Sequence, residues 1–488
     1  MNQARLISAI QAEERGDLEA AVAAYASVLE AQPDCVEALN NLGAICFRAG
    51  QPQNAANFYL QALEYQPDYR PARLNLARTL SKLGQSEEAD THYLALLAQD
   101  SSLEIQIERL QQMIAGGLLL QAAREATAAC TARPEAAELW LVLGNAQLYL
   151  SQPEAAETAY RRALNLQDSA RARANLALAL FTQSRFTEAW PYYEARHDKS
   201  LQAHDAVRFA DHPWPRWQGE PLTGKRILLI GEQGLGDQIQ FARFAEPLAA
   251  FGATVELVCH PALSALLAGT PGLAACHASM PTSGHFDYWS PLLSVPGQLS
   301  CSDPRQTWTY PYLHADPAKR SRWRAQLNAW AGNKKKVGLV WRGASGNATD
   351  RIRSIPTENI LELPHRLGEK AMFFSLQKDD AASSELELIC SHGIIPLGDM
   401  LNDFSDTAAL ISELDLIISV DTAVAHATGA LGRPLELLLA AGIEWRWGKP
   451  GSQGCMLYPG TQLHWKDCQE RNWDMLLARL CAQLATTL

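Results

Sequence analysis

The sequence predicts two architectures in one chain: an α-helical superhelix over roughly the first 200 residues and an α/β pair of doubly wound lobes over the rest. Three observations carry this expectation. Proline, alanine and aromatic residues recur with a 34-residue period, visible in the step from Pro33 to Pro67. From Lys225 onward the apolar pattern changes to short β-type runs alternating with helical stretches. Two of these runs, Arg226–Ile230 and Leu416–Val420, lie roughly 190 residues apart, and each empties into small and acidic residues before a helical pattern, where an open α/β sheet forms a ligand crevice.

The bulk properties bound the function. A chain of 488 residues is too long for one core. With 47% hydrophobic and 19% charged residues it reads as globular, and a net charge of −11 argues against a nucleic-acid-wrapping protein while leaving room for a local phosphate pocket. The ten cysteines form no C-x-x-C pair and no framework spacing, which points to reduced thiols and a cytoplasmic location. Charges interrupt the N-terminal residues where a signal peptide needs an apolar stretch, and no run has the length of a membrane span, so none is expected.

In the first part, Leu42, Gly43, Ala55, Tyr59, Ala62 and Pro67 fall where the tetratricopeptide pattern requires them, and Trp140, Leu143, Gly144, Ala156, Tyr160 and Ala163 repeat it. Weaker copies place Ala21 with Tyr25, Ala89 with Tyr93, Ala123 with Thr127, and Ala189 with Tyr193. The expectation is a tetratricopeptide superhelix of about six helix pairs over residues 1–200, starting near residues 2, 36, 70, 104, 137 and 170, with Gly116-Gly117 making the fourth irregular. Asn41, Asn75 and Asn175 share one slot in three of the units. A side-chain amide matches a peptide unit in its donors and acceptors, so the three are candidates for gripping an extended acceptor polypeptide. In part this resembles the asparagine ladder of the nucleocytoplasmic O-linked N-acetylglucosamine transferases. The alternative is that these amides bond within the solenoid.

Residues 201–222 read as a linker whose prolines and tryptophans, His212 to Gly219, stop helices and dock one domain on the next. Beyond it, Arg226–Ile230, Thr254–Cys259 and the extended 286–293 stretch alternate with helices over 238–251 and 261–268. After a polar stretch at 316–335, runs at 336–341, 371–376, 416–420 and 435–439 form a second series. The count gives two Rossmann-like lobes, divided here as 223–318 and 319–488, with a cleft between them.

The segments TGKRILLIGEQGLGDQIQFARF, VGLVWRGASGNATDRIRSIP, FFSLQKDD and DFSDTAALISELDLIISVDTAVAHATGALGRP resemble the bacterial proteins that join tetratricopeptide repeats to a heptosyltransferase-like, GT-B-type glycosyltransferase domain. The resemblance runs from about residue 2 to about residue 480. It implies a GT-B-type pair of Rossmann-like lobes, with a nucleotide-sugar held by the C-terminal lobe and an acceptor approaching from the N-terminal lobe. Some members of that architecture modify flagellin or other bacterial proteins, which makes a protein hydroxyl the implied acceptor. A non-catalytic adaptor with a degenerate transferase domain, and a transferase acting on lipopolysaccharide or another glycan, are the competing readings. The continuation through Ala440-Ala441-Gly442 and the Gly448–Gly454 loop departs from the aromatic-rich sequence of the family, which bears on donor identity.

The residues support a chemistry for each site. Gly234 and Gly236 lie at a strand-to-helix turn that permits close backbone approach by an anionic donor. The occupant of position 239 is Ile239, not the third glycine of a dinucleotide fingerprint. Asp237 matches the proposed general base of heptosyltransferases; a carboxylate there can take the proton of an attacking hydroxyl, or else serve as a helix N-cap. Arg351 and Arg353 can supply positive charge for the departing nucleotide, or else form a surface ion pair with Asp350; Arg353 matches the family's phosphate-contacting basic residue. Asp421, Thr422 and Ala423 open a helix whose free N–H groups make a phosphate cradle, with His426 one turn on as a donor contact or a packed core residue. Gln377 and Lys378 follow another strand and meet the donor or solvent, while Trp445-Arg446-Trp447 closes the pocket or simply packs. No metal-ligand spacing and no convincing D-x-D signature are present, so metal-independent transfer without a cofactor is expected, the nucleotide-sugar being substrate.

Overall fold

The structure is a computed structural model that describes residues 2–488 apart from 203–205, 283, 306–308, 344–349, 379–382, 441–443, 449–450 and 468–471. It divides into two compact units, Met1–Ala146 and Gln147–Leu488. The sequence-based boundary at 200 therefore falls inside the second unit, which takes in the last helices of the repeat array.

Six helix pairs form the repeats: Asn2–Glu14 with Leu18–Ala31, Val36–Arg48 with Pro52–Tyr65, Arg70–Lys82 with Ser86–Gln99, Leu103–Ala115 with Leu119–Ala132, Ala137–Tyr149 with Pro153–Leu166, and Ala170–Thr182 with Phe186–Tyr193. Their packing follows from residue size. A Cβ on Gly43 would lie 2.5 Å from the Tyr59 ring, so the glycine makes room for the aromatic of the next helix. Within every pair the chain turns through one left-handed residue, at Gly16, Gly50, Gly84, Gly117, Ser151 and Ser184.

That ladder corrects the expectation for the fourth unit, which is a regular pair. Gly117 is its turn residue at φ +81, and a Cβ on Gly116 would meet Ser86 Oγ at 2.2 Å. Gly117 is what a regular turn needs at this spot, and Gly116 makes room for Ser86 of the preceding pair. The packed positions are Ala122 and Ala126, one residue before the predicted Ala123 and Thr127, because alanine replaces the aromatic and erases the signature.

The linker is laid on the first lobe. Trp217 N donates to Trp289 O at 2.8 Å, Trp289 N donates to Pro215 O at 3.0 Å, and the Trp214 ring meets Phe286 edge-on. The first lobe holds β1 (Arg226–Ile230), β2 (Thr254–Val258), β3 (Leu273–His277) and β4 (Tyr288–Pro291), all parallel in the order β3-β2-β1-β4. The second holds β5 (Lys335–Val340), β6 (Ala371–Ser375), β7 (Ile394–Pro396), β8 (Leu416–Val420), β9 (Leu435–Ala440) and β10 (Thr461–Lys466), also parallel, ordered β10-β9-β8-β5-β6-β7. Two parallel sheets flanked by helices, with β1 and β8 central, make a pair of doubly wound, Rossmann-like lobes.

Three local expectations change. The helix predicted over 238–251 is two helices, Leu235–Ala242 and Ala245–Ala250, because Pro247 has no N–H to offer the carbonyl of Arg243. The extended stretch 286–293 narrows to β4, and Leu292–Ser294 curls into a 3-10 turn. The polar stretch 316–335 is the helix Pro317–Ala331: Asp316 caps it through Ala318 N and Lys319 N, Trp323 and Leu327 are buried, and Arg320 and Arg324 pair with Glu413.

Candidate functional site

The glycine-rich turn after β1 and the acidic turn after β8 meet across the two lobes. The helix Leu235–Ala242 begins at Gly234, and the helix Ala423–Ala430 begins at Thr422, whose hydroxyl accepts from Ala425 N at 3.4 Å. These two helices pack against each other. The contact is tightest at Gly236, where a Cβ would lie 2.7 Å from His426 Cδ2 and 3.5 Å from Ala423 Cα. Gly236 thus works in lobe-to-lobe packing, a role its sequence context did not reveal.

Asp237 is the third residue of its helix. Oδ2 accepts from Gly234 N at 3.0 Å in a capping box, and Oδ1 accepts from Arg446 Nη2 at 2.6 Å. It therefore reaches back to the cap residue and is not itself the N-cap. Arg446 also lies 3.3 Å from Glu444. Burial works against the charge of Arg446, but Asp237 and Glu444 together hold its pKa above the ordinary arginine value. Burial and the neighbouring charge of Asp421 push Glu444 up to about 7, although a third of its side chain remains exposed.

On the opposing lobe Asp421 is buried, and Oδ1 accepts from Trp447 Nε1 at 2.9 Å. Burial raises its pKa, with the Arg353 charge opposing. Arg353 Nη1 donates to Asp421 O at 3.0 Å, which sets its guanidinium at the end of β8. Arg353 and Asp421 are thereby brought together. His426 Nδ1 lies 3.1 Å from Tyr458 OH, its ring 4.5 Å from that of Trp447, and burial drives its pKa well below the usual range. It is a neutral, packed histidine whose surroundings match the core alternative.

Gln377 and Lys378 are engaged elsewhere. Gln377 Oε1 accepts from Trp341 N and Arg342 N at 3.3 and 3.2 Å, closing the open end of β5, and Lys378 Nζ donates to Leu401 O and Asn402 O. Arg351 belongs to the short helix Asp350–Arg353, and its side chain lies outside the described residues, as do Ala441, Gly442 and part of the 448–454 loop.

The tryptophan pair at 445–447 both packs and frames the site. Trp447 holds Asp421, whereas Trp445 stacks on Phe181 with centroids 4.6 Å apart and meets Trp190 edge-on. The last repeat is joined to the glycine-rich turn as well. Gln233 Nε2 donates to Tyr193 OH at 2.8 Å, and Arg196 makes a two-bonded pair with Glu232 at 3.0 and 2.9 Å, both side chains at most 5% exposed. The sequence reading missed Glu232, Arg196 and Tyr458 and left Arg446 undecided; only the W-R-W triplet gave a signal, because two tryptophans flanking an arginine imply a fixed cation.

In the first unit, Asn75 Nδ2 donates to Asn40 Oδ1 at 2.9 Å, Asn40 Nδ2 to Asn41 Oδ1 at 3.1 Å, and Asn41 Nδ2 to Tyr25 OH at 3.0 Å. Asn41 and Asn75 are thus linked only through the Asn40 amide. Asn175, in the helix Ala170–Thr182, is half-buried.

The tetratricopeptide repeat family matches residues 9–71 and 141–198, and again 47–114. The helical arm is made of tetratricopeptide repeats. Protein FlbA of Caulobacter vibrioides is 29% identical over 98% of this chain and 83% of its own length. Among solved structures, a tetratricopeptide repeat protein from Parabacteroides merdae covers 42% of this chain and 82% of its own at 18% identity and TM-score 0.37. The ADP-heptose lipopolysaccharide heptosyltransferase II of E. coli covers 53% of this chain and 99% of its own at 15% identity and TM-score 0.38. Among the described residues, no helix is long and apolar enough to cross a membrane.

Proposed function

We propose that this chain is a glycosyltransferase that moves a sugar from a nucleotide-sugar to a hydroxyl of a protein acceptor engaged by its repeats. The observation carrying the reading is the opposition of Asp237, at the β1 turn, to the helix start at Thr422 and the Arg353 guanidinium at the end of β8. In the transfer, the acceptor oxygen bonds to the sugar's anomeric carbon while Asp237 takes its proton. The bond from that carbon to the diphosphate breaks, and the oxygen keeps the electron pair. The backbone N–H groups opening the Ala423–Ala430 helix, together with Arg353, stabilise the charge that develops there. Asp421 orients Trp447 and the β8 turn, since a second anion has no place against phosphate. The tetratricopeptide arm favours a protein acceptor over a free glycan, because such arrays present extended surfaces to partners.

The engagement of Asp237 by Arg446 favours one competing reading, a non-catalytic adaptor whose acid is purely structural. Single-turnover transfer from a panel of nucleotide-sugars separates the two. Asp237→Asn should lower the rate by about 10²-fold or more without weakening donor binding. Undiminished transfer by this variant, or no transfer from any donor by the wild-type chain, would sink the catalytic reading.

A further inference from the structure

The cation closest to the candidate base comes from the other lobe. Arg446 sits between Trp445, anchored on Phe181, and Trp447, anchored on Asp421, so both flanks of the arginine are fixed. Its side chain is 13% exposed, and its guanidinium carbon lies 5.0 Å from the Trp445 ring centroid. One terminal nitrogen holds Asp237 at 2.6 Å and the other Glu444 at 3.3 Å, while Nε is buried without a hydrogen-bond partner among the described residues. The arginine thus carries an unused donor in a place where acids predominate: Asp237, Glu444 and Asp421 all act on its charge.

An Asp237 carboxylate that accepts from both a guanidinium and Gly234 N is poorly placed to take an acceptor's proton. A diphosphate, carrying at least two negative charges and several acceptor oxygens, competes for a planar guanidinium better than a single carboxylate does. We propose that Arg446 is a donor-binding residue that exchanges partners: it pairs with Asp237 in the donor-free chain and turns to the diphosphate of a bound nucleotide-sugar, freeing Asp237 for the acceptor hydroxyl. The inference rests on the transferase reading above and adds to it a coupling between donor binding and release of the base. The exchange needs no bond to be made or broken, only one ion pair replaced by another.

The test is a binding cycle on the full chain by calorimetry. The probes are inorganic pyrophosphate, which carries no base, and the four common ribonucleoside diphosphates. Exchange predicts that Asp237→Asn tightens pyrophosphate at least threefold, that Arg446→Gln weakens it at least tenfold, and that Asp237→Asn in the Arg446→Gln background changes it less than twofold. A gain from Asp237→Asn that persists undiminished without Arg446 would reveal simple charge repulsion and overturn the proposal. If Arg446→Gln does not fold, Arg446→Lys keeps the charge but loses the fork and should weaken pyrophosphate at least threefold; unchanged affinity again overturns the exchange. Failure of every nucleoside diphosphate to bind the wild-type chain would remove the transferase reading itself, whereas binding with an additive cycle removes only the exchange.

Discussion

Replacing Arg196 by methionine should unfold the second unit far more readily than an ordinary surface change, and the structure sets the size. The guanidinium makes two bonds to Glu232 and one each to Ser294 Oγ at 2.8 Å, Glu194 Oε1 at 2.9 Å and Tyr193 O at 3.1 Å, and Glu232 also accepts from Leu293 N at 3.0 Å. Arg196 and Glu232 side chains are 5% and 1% exposed, so removing the cation strands a carboxylate away from water. Breaking one side of such a pair costs about 3–5 kcal/mol. Twelve of the thirteen tryptophans, all but Trp140, belong to the Gln147–Leu488 unit, so urea unfolding followed by tryptophan fluorescence reports on it. With a slope of about 3 kcal/mol/M, the midpoint should fall by about 1 to 1.7 M. Glu232→Leu should cost a similar amount. The double variant Arg196→Met, Glu232→Leu should recover part of the loss, since apolar replacement of both partners is often close to neutral, while Glu194 and the Leu293 N–H still lose their bonds. Single variants that each cost under about 1 kcal/mol, or a double variant as unstable as the sum of the singles, would refute the claim that this desolvated pair ties the last repeat to the glycine-rich turn.

Gly236→Ala gains at most about 1 kcal/mol of helix propensity but forces a contact with His426 that overpacking data place at about 1–3 kcal/mol, so a net loss of stability in the same urea assay is expected and a gain would refute the close approach. Glu444, with its pKa raised to about 7, binds a proton more readily when folded; its stabilising contribution is full below its unfolded value and is lost as pH rises through about 7, where its charge also begins to repel a donor. Between pH 6 and 8 the wild-type chain should therefore lose nucleoside diphosphate affinity relative to Glu444→Gln, the comparison cancelling the ligand's own ionisation; parallel pH profiles would count against it. An Asn41→Ala, Asn75→Ala double variant with an unchanged melting temperature should lose transfer to a full-length protein acceptor and keep donor binding, and full transfer would remove these asparagines from acceptor recognition.

Much of the fold was legible because its signals are periodic. The 34-residue recurrence needs only Ala55, Tyr59 and their copies, and the central strands β1, β5, β6, β8 and β9 are mostly apolar runs, as strands buried on both faces tend to be. The strands that escaped notice, β3, β7 and β10, all lie outside the sheet centres, where β10 carries Gln462, His464 and Lys466 among its six residues. An edge strand has one unpaired side and a wet face, and its polar residues hide it from a hydrophobicity reading. The candidate site was legible in part for a different reason. Asp421 and Thr422 follow a strand end directly and Asp237 and Arg353 lie in short helices after strands, all marked by local sequence, whereas the partners of Asp237 and Asp421 come from Arg446 and Trp447, 209 and 26 residues away in sequence. Gln377 and Lys378 carried the right strand-end position but spend their polar atoms on backbone groups, which no local pattern reveals.

The aromatic cluster of Phe181, Phe186, Trp190, Tyr193 and Trp445 gives the last repeat a second task. In an ordinary solenoid the terminal pair is a cap whose outer face is polar, since nothing follows to cover it. Here the terminal helix Phe186–Tyr193 is apolar on the face that meets Trp445, and Tyr193 adds a hydrogen bond to Gln233 in the glycine-rich turn. Trp445 immediately precedes Arg446, and Glu232 and Gln233 lie within five residues of Asp237, so both members of the Arg446–Asp237 pair hang from the same repeat. A rigid aromatic platform of this kind holds two loops from different lobes at a fixed separation, which a freely tethered arm could not do. The final repeat is therefore part of the candidate site's framework.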